Sequence, residues 1–269
     1  MLFKKLNYRT IALSSFIFFF CLCLSFTSSA LELKEHEASY IAKIKKGVSL
    51  EGKATRSLKK LNDNKWLYKF DVESFIADIK ESTVLIEENQ IIKPIQYDYK
   101  LSAFLMSDRK RQVMFDWEQH TATSPRKKNN WTLRSIPDNT YDQLSYQLQL
   151  LLDISNQKMK MTYQLAHKAK LRESEFVVLG EEVINTRFGK LNSISAKKQR
   201  DDDAKRETYL WFSKDYPLLL LKMTQKEKDG EEYEIEISSA IIDGKNIDLT
   251  TKTIVESNSN PSDTLNAQP

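Results

Sequence analysis

The sequence predicts a mostly β protein: an antiparallel curled sheet or half-barrel of about ten to twelve strands around one central amphipathic helix. Three observations carry this. The stretch from Asp138 to Asn156 is the one long segment whose apolar residues recur at helical spacing. Most other apolar segments alternate with polar residues, as a strand with one buried face requires. Finally, a helix that is apolar around most of its circumference must be wrapped, and the segments on both sides of it read as strands.

Within the helical stretch, Tyr141, Leu144, Leu148, Leu151 and Leu152 form one stripe, which Tyr146, Leu150 and Ile154 widen. Thr140 with Gln143 reads as a capping box, and Pro137 stops the preceding chain from running into the helix.

Taken in order, the chain opens with Lys4, Lys5 and Arg9, the apolar run Ile11–Leu24, and then Ser28-Ser29-Ala30. That is the pattern of a signal peptide with small residues at its cleavage site, so residues 1–30 are expected to be removed and the protein exported to the periplasm. The alternative is an uncleaved N-terminal anchor, although the apolar run is short of the roughly 20 residues needed to span a bilayer. Both cysteines, Cys21 and Cys23, fall inside this segment. The chain from Leu31 then has no disulfide, no thiolate metal site and no cysteine nucleophile. Without Lys4, Lys5 and Arg9, 38 of the 41 basic residues remain against 37 acidic ones, which gives no electrostatic case for nucleic acid.

Residues 31–245 are expected to form a single β domain. Glu37–Ile44 alternates through Ala38, Tyr40, Ala42 and Ile44; Gly47 breaks it, and Val48–Leu58 resumes. Lys65–Val72 is the cleanest alternation, with Trp66, Tyr68, Phe70 and Val72 on one face. Phe75–Ile86, Ile91–Leu101 (with Pro94 suited to an edge or a strand start), Arg111–Glu118 and Trp131–Ile136 follow, the last after a basic loop, Arg126–Asn130. Beyond the helix, Lys158–Leu165 alternates through Met159, Met161, Tyr163 and Leu165. Phe176–Thr186 and Leu191–Ala196 read as a hairpin bent at Gly189, and Thr208–Phe212, Leu218–Thr224 and Glu231–Ser239 complete the set. From Asn246 apolar content fades, and residues 246–269 read as a polar, disordered tail.

Phe115-Asp116-Trp117, Asp142-Gln143-Leu144-Ser145, Arg187-Phe188-Gly189-Lys190-Leu191, Thr208-Tyr209-Leu210-Trp211-Phe212 and Pro217 occur in an order and spacing that resembles the DUF3108 family of exported bacterial proteins. The resemblance covers nearly all of the chain from Leu31 and implies no catalytic residues. By fold analogy its strand-and-helix pattern is also similar to LolA- and LolB-like periplasmic lipoprotein carriers.

No catalytic signature appears in the residues themselves. His36, His120 and His167 are scattered over different elements without metal-ligand spacing, and none of the six glycines frames a nucleophile elbow. Asp201-Asp202-Asp203 offers carboxylates to calcium but lacks the spaced ligands of a binding loop, and reads as a solvated turn. Asp116, between Phe115 and Trp117, faces solvent if those rings face the helix; facing inward, it would need Arg111 or Arg134. Asp142 suits the positive end of the helix dipole.

No enzyme activity, cofactor or metal is therefore expected. The leading reading is a non-enzymatic carrier that binds an apolar or lipid-like ligand between sheet and helix. Its lining would be Trp66, Tyr68, Phe70, Trp117, Leu144, Leu148, Leu152, Met159 and Met161. The same residues could instead fill a dry core, with the protein serving as an envelope assembly or scaffolding protein that docks a partner protein. In either case the body is soluble, and membrane contact is at most transient.

Overall fold

Period-two alternation dictates strands, and the computed structural model builds a sheet of sixteen of them with one described helix. It describes residues 31–249 except 47, 63, 76, 104–105, 126–129 and 200–205. The first half holds β1 (His36–Lys46), β2 (Val48–Lys60), β3 (Lys65–Ser74), β4 (Ala77–Glu88), β5 (Ile91–Ala103), β6 (Met106–Asp116), β7 (Thr121–Ser124) and β8 (Trp131–Arg134). A crossing segment follows with β9 (Thr140–Tyr141) and helix α1 (Ser145–Ser155). The second half holds β10 (Lys160–His167), β11 (Lys170–Thr186), β12 (Gly189–Lys198), β13 (Glu207–Ser213), β14 (Leu220–Lys226), β15 (Glu232–Ile242) and β16 (Lys245–Asn246).

The two halves meander away from a shared centre. β1 pairs with β2 on one side and with β15 on the other. From β1 the sheet runs out in sequence order to β8, and from β15 it runs back to β9. All the pairings are antiparallel except the short parallel match of β9 with β10. The unpaired ends of this path are β8 and β9; residues 135–139 join them, and α1 then leads from β9 into β10. Register shifts at Ser39/Tyr40, Val84/Leu85, Leu101/Ala103, Val178/Gly180 and Trp211/Phe212 mark bulges, which raise local twist and help the sheet to curl. As a result β9 approaches β5, and α1 packs against β5 and β10, strands near opposite ends of the path. Gly52 marks a close approach: a Cβ there would meet the carbonyl oxygen of Glu73 at 2.7 Å.

The helix is shorter than its apolar pattern, and its cap lies elsewhere. Thr140 and Tyr141 belong to β9, not to the helix, so the expected Thr140/Gln143 capping box does not form. Asp142 takes that role. Its Oδ1 accepts the N–H groups of Leu144 (2.7 Å) and Ser145 (2.8 Å), while Ser145 Oγ accepts the Asp142 N–H at 3.1 Å. The expectation of about ten to twelve strands is also corrected. The short strands β7, β9 and β16 carry two to four residues each, too few to show a period.

Polar side chains tie α1 to the sheet on several sides. Gln149 Oε1 accepts the Ile92 N–H of β5 at 2.7 Å, and the Tyr163 hydroxyl of β10 donates to Asp153 Oδ2 at 2.8 Å. Thr83 of β4 donates to Asp142 Oδ1 at 3.0 Å. Around these bonds Leu144, Leu148, Leu150, Leu151 and Leu152 are fully or almost fully buried. Packing continues past β16, where the Ile247 N–H donates to the Ala240 carbonyl and Leu249 is buried. The expected signal peptide (1–30), Asp201–Asp203 and the end of the polar tail (250–269) lie outside the described residues. No helix among the described residues is long and apolar enough to cross a membrane.

Candidate functional site: a cleft at the open seam

Where the two ends of the sheet approach each other without hydrogen bonding, side chains from both leave a cleft of about 330 Å³. Tyr97 of β5, Arg111, Gln112 and Val113 of β6, and Ser124 of β7 form one wall, with Asn130 and Trp131 at β8. Ala166 and His167 of β10 and the turn residues Lys168 and Ala169 form the other, and Gln143, just before α1, closes the inner end. The volume lies at the small end of ligand pockets. Apolar groups (Tyr97, Val113, Trp131, Ala166) stand beside the cations Arg111 and Lys168. The local field is positive: His167 is pushed down to about 4, first by burial and then by Arg111, Arg172 and Lys168.

Behind the cleft a polar row crosses the concave face. Register places Arg56, Phe70, Glu81, Tyr99 and Arg111 side by side on β2 to β6. Arg56 lies over the Phe70 ring at 5.0 Å and Arg111 over the Tyr99 ring at 4.6 Å. Glu81 accepts the Tyr97 hydroxyl at 3.0 Å, and burial pushes its carboxyl up to about 7 against that bond. Asp142 is raised as well, by burial, against the hydrogen bonds from Ser145, Leu144 and Thr83. Its Oδ2 and the hydroxyl of Tyr40 are buried without a hydrogen-bond partner.

The candidate lining read from the sequence falls elsewhere. Trp66, Tyr68, Leu144, Leu148, Leu152 and Met161 lie in the packed core, and Phe70 and Trp117 are half-buried against it. None of these eight lines the seam cleft. Met159 is corrected outright: it is 59% exposed, one residue before β10, although its carbonyl already accepts the Val178 N–H of β11 at 2.9 Å. Asp116 takes the outward option. It is exposed and accepts the Gln119 N–H at 2.9 Å, while Phe115 and Trp117 stack at 5.9 Å. The histidines stay apart: His36 is buried and its Nδ1 donates to the Lys34 carbonyl, His120 Nδ1 lies 3.3 Å from the Ile136 carbonyl oxygen, and His167 lines the cleft. Among the described residues no group of three His, Cys, Asp or Glu is placed to hold a metal ion.

Reasoning from periodicity missed the cleft because its lining comes from β5, β6, β7, β8, β10 and a turn, which are far apart in sequence. The one usable signal was the pair Tyr97 and Trp131, large aromatics on separate strands on either side of the basic loop.

A large, open, curled and mostly antiparallel sheet with one short described helix and a cleft at its seam defines a mostly β class of protein. Within that class the chain belongs to the family described as Protein of unknown function (DUF3108), which matches residues 39–238. A β-barrel-like protein of the domain of unknown function DUF1849 from Brucella abortus has the same overall fold, with a TM-score of 0.53 and 11% identity. That match covers 79% of this chain and 99% of the other. A DUF1329 family protein from Desulfovibrio piger ATCC 29098 matches at a TM-score of 0.22 and 10% identity, covering 78% of this chain and 86% of that one. A putative outer membrane lipoprotein-sorting protein domain from Vibrio parahaemolyticus matches at 0.21 and 13%, covering 84% and 88%. No curated protein matches the chain.

Proposed function

We propose that this is a non-enzymatic protein of the bacterial envelope, exported to the periplasm, that binds a small amphipathic, lipid-like ligand with a negatively charged group. The observation that carries the reading is the seam cleft, whose apolar wall of Tyr97, Val113, Trp131 and Ala166 adjoins Arg111 and Lys168. An apolar wall favours a hydrocarbon segment, and the half-buried Arg111 with the exposed Lys168 at the rim favours a carboxylate or phosphate over a neutral head. Export rests on the signal-peptide pattern of residues 1–30 and the absence of cysteine after Cys23. The reading requires no cofactor or metal.

A second reading, an envelope assembly or scaffolding protein that docks a partner protein, is favoured by one observation: Leu144, Leu148, Leu152 and Tyr68 sit in a packed core rather than around a central cavity. Titration with a fluorescent fatty acid and with its neutral alcohol analogue separates the two. The carrier reading expects the acid to bind, Val113→Trp to block it, and Arg111→Leu to abolish the preference for the acid. Absence of binding to the wild type, with no lipid in the native mass spectrum of the protein taken from the periplasm, would overturn it in favour of the scaffold.

A further inference from the structure

A carboxylate drawn away from water needs partners, and two of them stand behind the seam cleft: Glu81 on β4 and Asp142 just before α1. They are held differently. Asp142 Oδ1 accepts three donors, the N–H groups of Leu144 and Ser145 and the hydroxyl of Thr83. Among the described residues Glu81 accepts one, the Tyr97 hydroxyl at 3.0 Å. Tyr97 stands opposite Thr83 and Glu81 opposite Tyr99, so the bonded pair are diagonal neighbours on β5 and β4, a separation that an aromatic side chain spans. Tyr97 also lines the cleft, and its hydroxyl therefore links the cleft to the carboxyl behind it. The other groups around Glu81 come from every neighbouring element. Arg56 of β2 and Arg111 of β6 favour its ionised form, and Asp142 opposes it. The phenols of Tyr99 on β5 and Tyr146 on α1 complete the surroundings, with the apolar Phe70 of β3 between Arg56 and Glu81.

Arg111 belongs to both places: it lines the cleft and lies in the row of Glu81, one strand beyond Tyr99. An anion beside Arg111 brings a like charge toward Glu81 and occupies the cation that favours the ionised carboxyl. The carboxyl then binds a proton. Asp142 is the poorer acceptor for it, because three donors already hold its Oδ1 in the cap of α1. His167, the histidine of the cleft, is held down near 4 and is already neutral at higher pH. Protonation also reverses the Tyr97 bond. An ionised carboxylate can only accept, so Tyr97 donates to it. A neutral carboxyl donates its own O–H to the Tyr97 oxygen and frees the phenol O–H for the cleft that Tyr97 lines.

We propose that anion binding in the seam cleft takes up one proton at Glu81, with the Tyr97 hydroxyl turning from Glu81 to the ligand. This rests on the ligand reading above and adds its control by pH. Glu81 titrates at about 7 without ligand, chiefly because of burial, and a bound anion raises that value further. Affinity is therefore constant below about pH 7 and falls above it, by up to about ten-fold per pH unit. The protein holds its ligand in mild acid and releases it as the pH rises. Tyr97 touches the ligand; Glu81 acts through Tyr97 as a positioning residue.

The probe is decanesulfonate below its micelle concentration, because its charge does not change with pH, titrated into the protein taken from the periplasm. Calorimetry in two buffers of different ionisation enthalpy should show net proton uptake on binding, and affinity should be roughly ten-fold lower at pH 9 than at pH 6. Glu81→Gln, which carries no charge at either pH, should bind at pH 9 as tightly as the wild type does at pH 6 and take up no proton. Tyr97→Phe should weaken binding at pH 6 but not at pH 9, a split that a merely structural role would not produce. Wild-type binding of equal affinity at both pH values, or without proton uptake, would overturn the linkage and leave the ligand reading standing. A pH dependence that survives in Glu81→Gln would also overturn it and move the proton to Asp142. No binding at pH 6 would overturn the ligand reading and the linkage together.

Discussion

Arg56 Nη2, on β2, donates to Gln147 Oε1 on α1 at 2.8 Å across the interior of the sheet. The same guanidinium donates through Nη1 to the Tyr68 hydroxyl at 3.1 Å, and among the described residues no carboxylate lies within ion-pair distance of it. A buried cation held by neutral acceptors and two aromatic faces fixes the helix against the sheet at a site where an apolar side chain would slide.

Removing that cation takes the donor from Gln147 Oε1 and from the Tyr68 hydroxyl and opens a void. Arg56→Ala should cost on the order of 2–4 kcal/mol in denaturant unfolding. Arg56→Met, which restores the stem volume, should cost less. Equal losses in the two variants would mean that the stem volume contributes nothing.

Leu148 is fully buried at the middle of α1. Leu148→Ala should destabilise by about 2–5 kcal/mol. Leu148→Trp should cost about 1–3 kcal/mol by overpacking. A tolerated tryptophan would reveal spare room between helix and sheet and would revive the central cavity expected from the sequence.

Asp142 caps α1 from full burial, with its carboxyl raised by that burial. An acid whose folded pKa is raised contributes stability below its unfolded pKa and loses it as pH rises toward the folded value. Asp142→Asn keeps the Oδ1 acceptor and removes the buried charge, so at neutral pH it should cost less than Asp142→Ala. The alanine variant should lose about 1–2 kcal/mol for the cap alone. The ranking, read by thermal unfolding at pH 7, would reverse if the charge itself held the helix.

Glu81 and His36 give opposite pH dependences. Glu81 is raised from 4.5 to about 7, so its contribution is whole below pH 4.5 and is lost as pH rises through about 7. His36 is lowered from 6.5 by burial, so its contribution is present above pH 6.5 and lost as pH falls below it. Relative to wild type, Glu81→Gln should therefore gain stability between pH 4.5 and 7, by at most about 3 kcal/mol and less with partial solvent screening. Chemical denaturation across that range checks it: a difference between the two proteins that stays flat with pH would refute the assignment.

The sequence by itself determined the β class, most of the strands and the place of the described helix though not its start, because period two and period 3.6 are written in the order of side chains. Lys65–Ser74 and the core of α1 are examples: Trp66, Tyr68, Leu148 and Leu152 are buried as their spacing requires. Tertiary structure alone decided three things. It turned Thr140–Tyr141 into a strand, since a two-residue pairing with β10 is a long-range match with no local pattern. It left Met159 exposed at the margin of the sheet, on the same alternation as the buried Met161 and Tyr163. It also made the cleft, which exists only because the two ends of the sheet curl toward each other and bring Tyr97, Arg111 and Trp131 against Ala166 and Lys168. Periodicity states which face of a strand is apolar; which strands meet across a seam is fixed by twist, bulges and chain closure, and those are properties of the whole sheet.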